Sequence, residues 1–154
     1  MITQEVVETI EYIAREFFDK LETKAHARAQ QTDEATVSLN ITMDDPQLYI
    51  GEQGQTLLEV QHLIRAMVRK KLGQTPWIFL DINDYQKSKE AYVAELANTT
   101  ADEVALLKKE KELPPMSARE RRIVHTVISK RQDVVSESAG EEPDRRVVIK
   151  PRPA

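Results

Sequence analysis

Residues 48–57 read Leu48-Tyr49-Ile50-Gly51-Glu52-Gln53-Gly54-Gln55-Thr56-Leu57. The two glycines, three positions apart, let backbone approach backbone without Cβ interference and reach torsions that other residues resist. After them Leu57, Leu58, Val60, Ile64, Met67, Val68 and Leu72 recur at helical spacing. A long helix is therefore predicted over 55–72, with Gly73 as its stop. Such a helix opens at the glycine loop with its first N–H groups unpaired, a seat for phosphate or sugar oxygens. Gly-x-x-Gly alone is usually a tight turn, so the elements around it carry the reading.

Upstream, Val6, Ile10, Ile13, Phe17 and Leu21 predict a helix over 3–22. Lys24–Ala29 and Thr36–Thr42 predict a hairpin, the second strand having Val37, Leu39 and Ile41 on one face. Asp45-Pro46 opens a short helical turn before the loop. Downstream, Trp77–Ile82 reads as a strand buried on both faces. Asp84 is expected to cap a helix to about Lys111, with Tyr92, Leu96, Val104 and Leu107 inward and no flexible linker before it. Pro114-Pro115 ends that register, and Ser117-Ala118-Arg119-Glu120 forms a capping box for a helix to about Lys130. Strands follow at Val134–Ser136 and Arg146–Ile149. Tyr49, Trp77 and Tyr92 are expected in the core, given their apolar neighbours.

The order helix, strand, strand, short helix, Gly-x-x-Gly, long helix, strand resembles a type II K-homology (KH) domain over residues 1–83. In that domain the loop clamps about four nucleotides. Ile50, Gly51, Glu52, Gln53 and Gly54 are then the expected RNA contacts. The stretch also resembles the bacterial Jag family (KhpB, or SpoIIIJ-associated protein), in which the loop is followed by Thr-Leu and then Leu-Gln; here these are Thr56-Leu57 and Val60-Gln61. That family commonly has basic residues where Glu52 and Gln53 stand, and a carboxylate there repels phosphate. Arg65 and Arg69, with Lys70 and Lys71, are the candidates to compensate from the long helix.

A second motif lies at Arg121-Arg122-Ile123-Val124-His125. On a helix with Arg121 at 0°, His125 falls at about 40°, Arg122 at about 100°, and Ile123, Val124, Val127 and Ile128 at about 200–340°. This predicts a polar edge able to donate to phosphate and stack on a base. Arg121-x-x-x-His125, after Leu113-Pro114-Pro115-Met116, resembles the Arg-three-His domain, a small α/β module that binds single-stranded nucleic acid, here over 84–154. In Jag proteins it directly follows the KH domain, and the tail from Ser136 to Pro151 matches that family closely. The extra N-terminal domain of many members has no counterpart. Strand alternation puts Arg146 and Lys150 on one side, where they are expected to extend the Arg121, Arg122 and His125 patch.

Composition bounds the function. The 154 residues are 40% hydrophobic and 31% charged, typical of a globular protein. No apolar run approaches the ~20 residues of a membrane helix, and no signal-like segment opens the chain. There is no cysteine, which excludes disulfides and thiol chemistry and fits a cytoplasmic setting. His26, His62 and His125 lack metal-ligand spacing, and no phosphate-binding Lys-Ser/Thr loop is present, so no metal, cofactor or catalytic set is expected. The net charge of −4 is uneven: residues 1–82 hold 8 Lys/Arg against 13 Asp/Glu, and residues 83–154 hold 14 against 13. The resemblance implies a non-catalytic protein binding single-stranded RNA or DNA, a post-transcriptional regulator or RNA chaperone tied to cell division and envelope growth. The alternative is a protein-interaction adaptor whose KH half has lost RNA affinity and docks a second KH protein or a second copy.

Overall fold

The computed structural model describes residues 1–154. Its elements are α1 (Gln4–Lys20), β1 (Ala25–Gln31), β2 (Thr36–Met43), α2 (Gln47–Ile50), a single 3₁₀ turn (Glu52–Gly54), α3 (Gln55–Leu72), β3 (Trp77–Ile82), α4 (Tyr85–Leu107), β4 (Lys111–Glu112), α5 (Ala118–Ser129), β5 (Val134–Ala139) and β6 (Arg146–Pro151). The fold is mixed α+β. It divides into two compact units, Met1–Lys87 and Ser88–Ala154, each with its own three-stranded sheet.

In the first unit β2 is central, antiparallel to β1 and parallel to β3. Val37, Leu39 and Ile41 of β2 and Ile78, Leu80 and Ile82 of β3 are fully buried against Ile10, Ala14 and Phe18 of α1 and Leu57, Ile64 and Val68 of α3. The predicted alternation of β2 and the apolar stripe of α3 thus find their partner in each other. Helix side chains also reach the sheet backbone: Glu11 Oε2 accepts from Ala29 N at 2.9 Å, and the buried Gln61 Oε1 accepts from Leu80 N at 3.0 Å. Gly73 ends α3 at φ 79°, its N–H donating to Arg69 O.

Three expectations change in this unit. Leu21 lies beyond the last turn of α1 and is exposed. Trp77 is 53% exposed, because it opens β3 and alternates with the buried Ile78; the Arg65 guanidinium sits 4.1 Å from its ring. Asp84 does not cap α4. Its φ is +56°, and the cap comes from Asp81, whose carboxylate accepts from Ile82 N, Gln86 N and Lys87 N. The one polar residue in the β3 run is buried because it satisfies backbone donors that would otherwise have no partner.

In the second unit β6 is central, antiparallel to both β4 and β5. Its core joins Val93, Ala97, Ala101 and Val104 of α4 with Val124 and Ile128 of α5 and Val134, Val147 and Ile149 of the sheet. The α4 expectation is corrected here. Small residues four apart face inward, while Tyr92 and Leu107 are exposed. The helix also stops at Leu107 rather than Lys111, because Lys108 turns left-handed (φ 57°) and Lys111–Glu112 pair with β6 as a short strand not anticipated. The capping box forms as predicted: Ser117 accepts from Glu120 N and Glu120 Oε2 accepts from Ser117 N.

Candidate nucleic-acid interface

The glycine loop has a built geometry. Gly51 adopts φ 70°, ψ −174°, and a Cβ there would sit 2.1 Å from Thr56 Oγ1. Gly54 is left-handed at φ 81° and buried, with Tyr85 Cε1 2.9 Å from where its Cβ would be. Glu52 and Gln53 between them are exposed, Gln53 itself at φ 52°. Ile50 is half-buried against the core. No side chain caps the first turn of α3 at Gly54, but Gly54 N–H donates to Gly51 O and Gln55 N–H to Glu52 O, so the outermost N–H groups that the sequence leaves unpaired are engaged by the loop's own carbonyls. Arg65 and Arg69 do not join this loop. They lie 10 and 14 residues along α3, about 15 and 21 Å away on a helix, where Arg69 with Lys70 and Lys71 complements the negative helix end.

The second cluster is centred on α5. Arg121 is not the exposed donor the helical wheel suggests. It is 8% exposed; Nη1 donates to Met116 O at 2.7 Å and Nη2 to Glu142 Oε1 at 2.8 Å. The cause is angular: Ile128, two turns on, lies only about 20° from Arg121 on the wheel, so Arg121 belongs to the inward arc. Its guanidinium ties the segment before α5 to the β5–β6 turn, and Met116 N in return donates to Arg145 O. Arg121 therefore positions that turn, and Arg145 with it.

His125 is half-buried between two serines of β5, Nδ1 2.7 Å from Ser136 Oγ and Nε2 2.8 Å from Ser138 Oγ. Burial, then the positive charge of Arg121, lowers its pKa below the ordinary histidine value. As a neutral ring it donates to one hydroxyl and accepts from the other. Arg121, Arg122, His125, Ser138 and Arg145 line a hollow of about 450 Å³ whose lining has no carboxylate. Arg122 and Arg145 are exposed at it. The hollow presents two exposed guanidinium groups beside an imidazole whose two nitrogens are held by serine hydroxyls, and guanidinium groups are suited to phosphate oxygens.

Arg146 and Lys150 do not extend this patch. Ser136 and Ser138 pair with Ile149 and Val147, so these four point toward α5, and Arg146, Val148 and Lys150 point away from it. On that far face Arg146 binds Glu112 at 2.8 Å and Lys150 binds Glu137 at 2.7 Å. These contacts lower the pKa of each carboxylate. The alternation is legible in the sequence, but which face carries α5 is not. Sequence reasoning missed Ser136, Ser138 and Arg145. The serines share the period-2 face of buried Val134, a signal that needs the position of α5 to acquire meaning.

A model of the Arg-three-His domain matches residues 91–151, the span holding this hollow. RNA-binding protein KhpB of Clostridium symbiosum is 34% identical over 116 residues, covering 75% of this chain and 52% of that protein. RNA-binding protein KhpB of Bacillus subtilis is 31% identical over 137 residues, covering 84% and 66%. The chain belongs to the Jag/KhpB family. A further KhpB, from Streptococcus pneumoniae, is 27% identical over 148 residues and extends the family match to 96% of this chain and 44% of that protein. The chain thus spans about half the length of the curated KhpB relatives it matches first.

Proposed function

We propose that this chain is a non-catalytic, cytoplasmic RNA-binding protein in which a type II KH domain (1–83) and an Arg-three-His domain (84–154) engage single-stranded RNA. The observation that carries the reading is the α5 hollow, where Arg122, Arg145, Ser138 and His125 converge without a carboxylate among the lining residues. Support comes from the KhpB relatives named as RNA-binding. The element order of the first unit, with its positive-φ glycine loop before α3, supports the KH part. The contacts would be to backbone first, a chemistry that single-stranded DNA shares. Post-transcriptional regulation tied to cell division and envelope growth is the role the family resemblance implies. No helix is long and apolar enough to cross a membrane.

The test is anisotropy of labelled random-sequence single-stranded RNA at low salt. Replacing Arg122 and Arg145 together with serine should weaken binding at least tenfold while leaving the fold intact, since both are exposed. Equal affinity of the variant would defeat the reading. A second reading, an adaptor with an RNA-silent KH half, is favoured by one feature: exposed Glu52 in the loop beside Leu48, which is 75% exposed. On that reading the wild-type protein binds no RNA at low salt and instead docks a second KH protein or a second copy.

A further inference from the structure

Arg65 and Arg69 take no part in the glycine loop or in the α5 hollow. They lie four residues apart on α3 and share a face with the exposed His62. Neither arginine makes an ion pair or a side-chain hydrogen bond within the chain. The first half of the sequence is acidic, yet residues 60–80 contain no Asp or Glu and hold Arg65, Arg69, Lys70 and Lys71. A local cationic surface therefore stands on a unit of opposite overall charge.

Trp77, the chain's only tryptophan, adjoins it. Its N–H donates to Ala35 O at 2.8 Å, which fixes the backbone, while the residue stays 53% exposed. The Arg65 guanidinium lies 4.1 Å from the ring centroid. With a cation over one face, the open area belongs chiefly to the opposite face and the ring edge. Arg65 Nε is buried there without a hydrogen-bond partner, a cost that an aliphatic side chain covering the same ring would avoid. What the arginine adds is its charge and its terminal donors, which no group of the chain occupies. An exposed aromatic ring beside unpaired cations is the combination that holds single strands, since every base has a face to stack. The turn before β2 carries Asp33 and Glu34 on the Ala35 side of Trp77, and Asp33 Oδ1 accepts from Ala35 N at 2.8 Å. Carboxylates on that side favour a neutral base at the indole and leave the phosphates to Arg65 and Arg69.

We propose that Trp77, with Arg65 stacked on it and Arg69 one turn further along α3, is a second contact for single-stranded RNA. One base stacks on the open face of the indole, and the flanking phosphates meet the two guanidinium groups. The contact rests on the RNA-binding reading above and adds to it a base platform without sequence preference on the first unit.

Trp77 reports on itself, because no other residue shares its emission. The full chain is titrated at low salt with labelled oligouridine and with an abasic ribose–phosphate strand of the same length, following tryptophan emission and anisotropy together. Oligouridine should quench the emission saturably, with the midpoint that anisotropy gives, and bind about tenfold more tightly than the abasic strand. The abasic strand should leave the emission nearly unchanged. Trp77→Ala should reduce oligouridine affinity about tenfold, and Trp77→Phe should keep most of it. Arg69→Ser, at an exposed position, should lower the slope of log K against log salt by about 0.7 without changing thermal melting. Binding by anisotropy with unquenched emission, wild-type affinity in Trp77→Ala, or a wild-type slope in Arg69→Ser overturns this contact and leaves the RNA-binding reading standing. A blue shift that grows with protein concentration in the absence of RNA means that a second copy covers the indole, and overturns it too. Failure of both strands to bind overturns the RNA-binding reading and this contact together.

Discussion

Between two serine hydroxyls, the His125 ring has no spare nitrogen in its neutral form, and its environment keeps it neutral. Burial, helped by the Arg121 charge, lowers its pKa from 6.5. Between that lowered value and about 6.5 the unfolded chain binds the proton more readily than the folded one. The contribution to stability is therefore complete above about 6.5 and is lost as pH falls through the window. A phosphate beside the ring acts in the opposite sense. NMR titration of the His125 ring should give a midpoint below 6.5 in the free protein and a higher one with single-stranded RNA bound. RNA affinity should accordingly rise as pH falls; a midpoint indifferent to RNA would remove His125 from the contact surface. Arg121 and Arg122 separate just as sharply. Arg121→Ala should cost about 2 kcal/mol in urea denaturation, because a charge-assisted bond to Met116 O is lost; its exposed partner Glu142 adds little. Arg122→Ala should leave stability unchanged and weaken RNA binding.

Elements show where pattern suffices and where it does not. Helix α3 occupies the predicted 55–72 because its apolar spacing, its glycine start and its glycine stop all agree. Gly51 holds a conformation that is almost glycine-only, and its Cβ position is taken by Thr56. Gly51→Ala should therefore cost at least ~1–3 kcal/mol and abolish any contribution of the loop to RNA affinity, measured by thermal melting and anisotropy together. The start of α4 misleads because Asp84 has the right residue type in the right place along the chain. Asp81, buried in a strand, does the capping through space. Asp81→Ala should lower stability by about 2 kcal/mol, and hydrogen exchange should show the Gln86 and Lys87 amides losing protection first. If Asp84→Ala has the larger effect, this assignment fails.

At the scale of the whole molecule, charge is the relevant quantity. A net charge of −4 opposes a polyanion at long range, so binding has to come from local clusters and should depend steeply on salt. Each phosphate neutralised contributes a slope of ~0.7 in log K against log salt. If Arg122 and Arg145 each meet one phosphate, removing both should reduce the slope by about 1.4. Glu52→Lys, adding a cation at the glycine loop, should increase both affinity and slope; an unchanged slope would mean that the loop lies off the RNA path.

Much of this molecule is written in local signals. The α3 stripe, the alternation of β2, the Ser117–Glu120 box and the β5 and β6 strands depend on spacing along the chain, and periodicity reports spacing directly. Both motifs that led to the family are contiguous for the same reason. Tertiary structure alone decided what each surface faces. It turned Arg121 inward beside Ile128, set Ser136 and Ser138 against His125, sent Arg146 and Lys150 to the far side of the sheet, and left Trp77 and Tyr92 exposed. A period states which residues share a side, but which side is covered depends on the packing of elements distant in sequence, and that is where the hollow lined by Arg122, His125 and Arg145 arises.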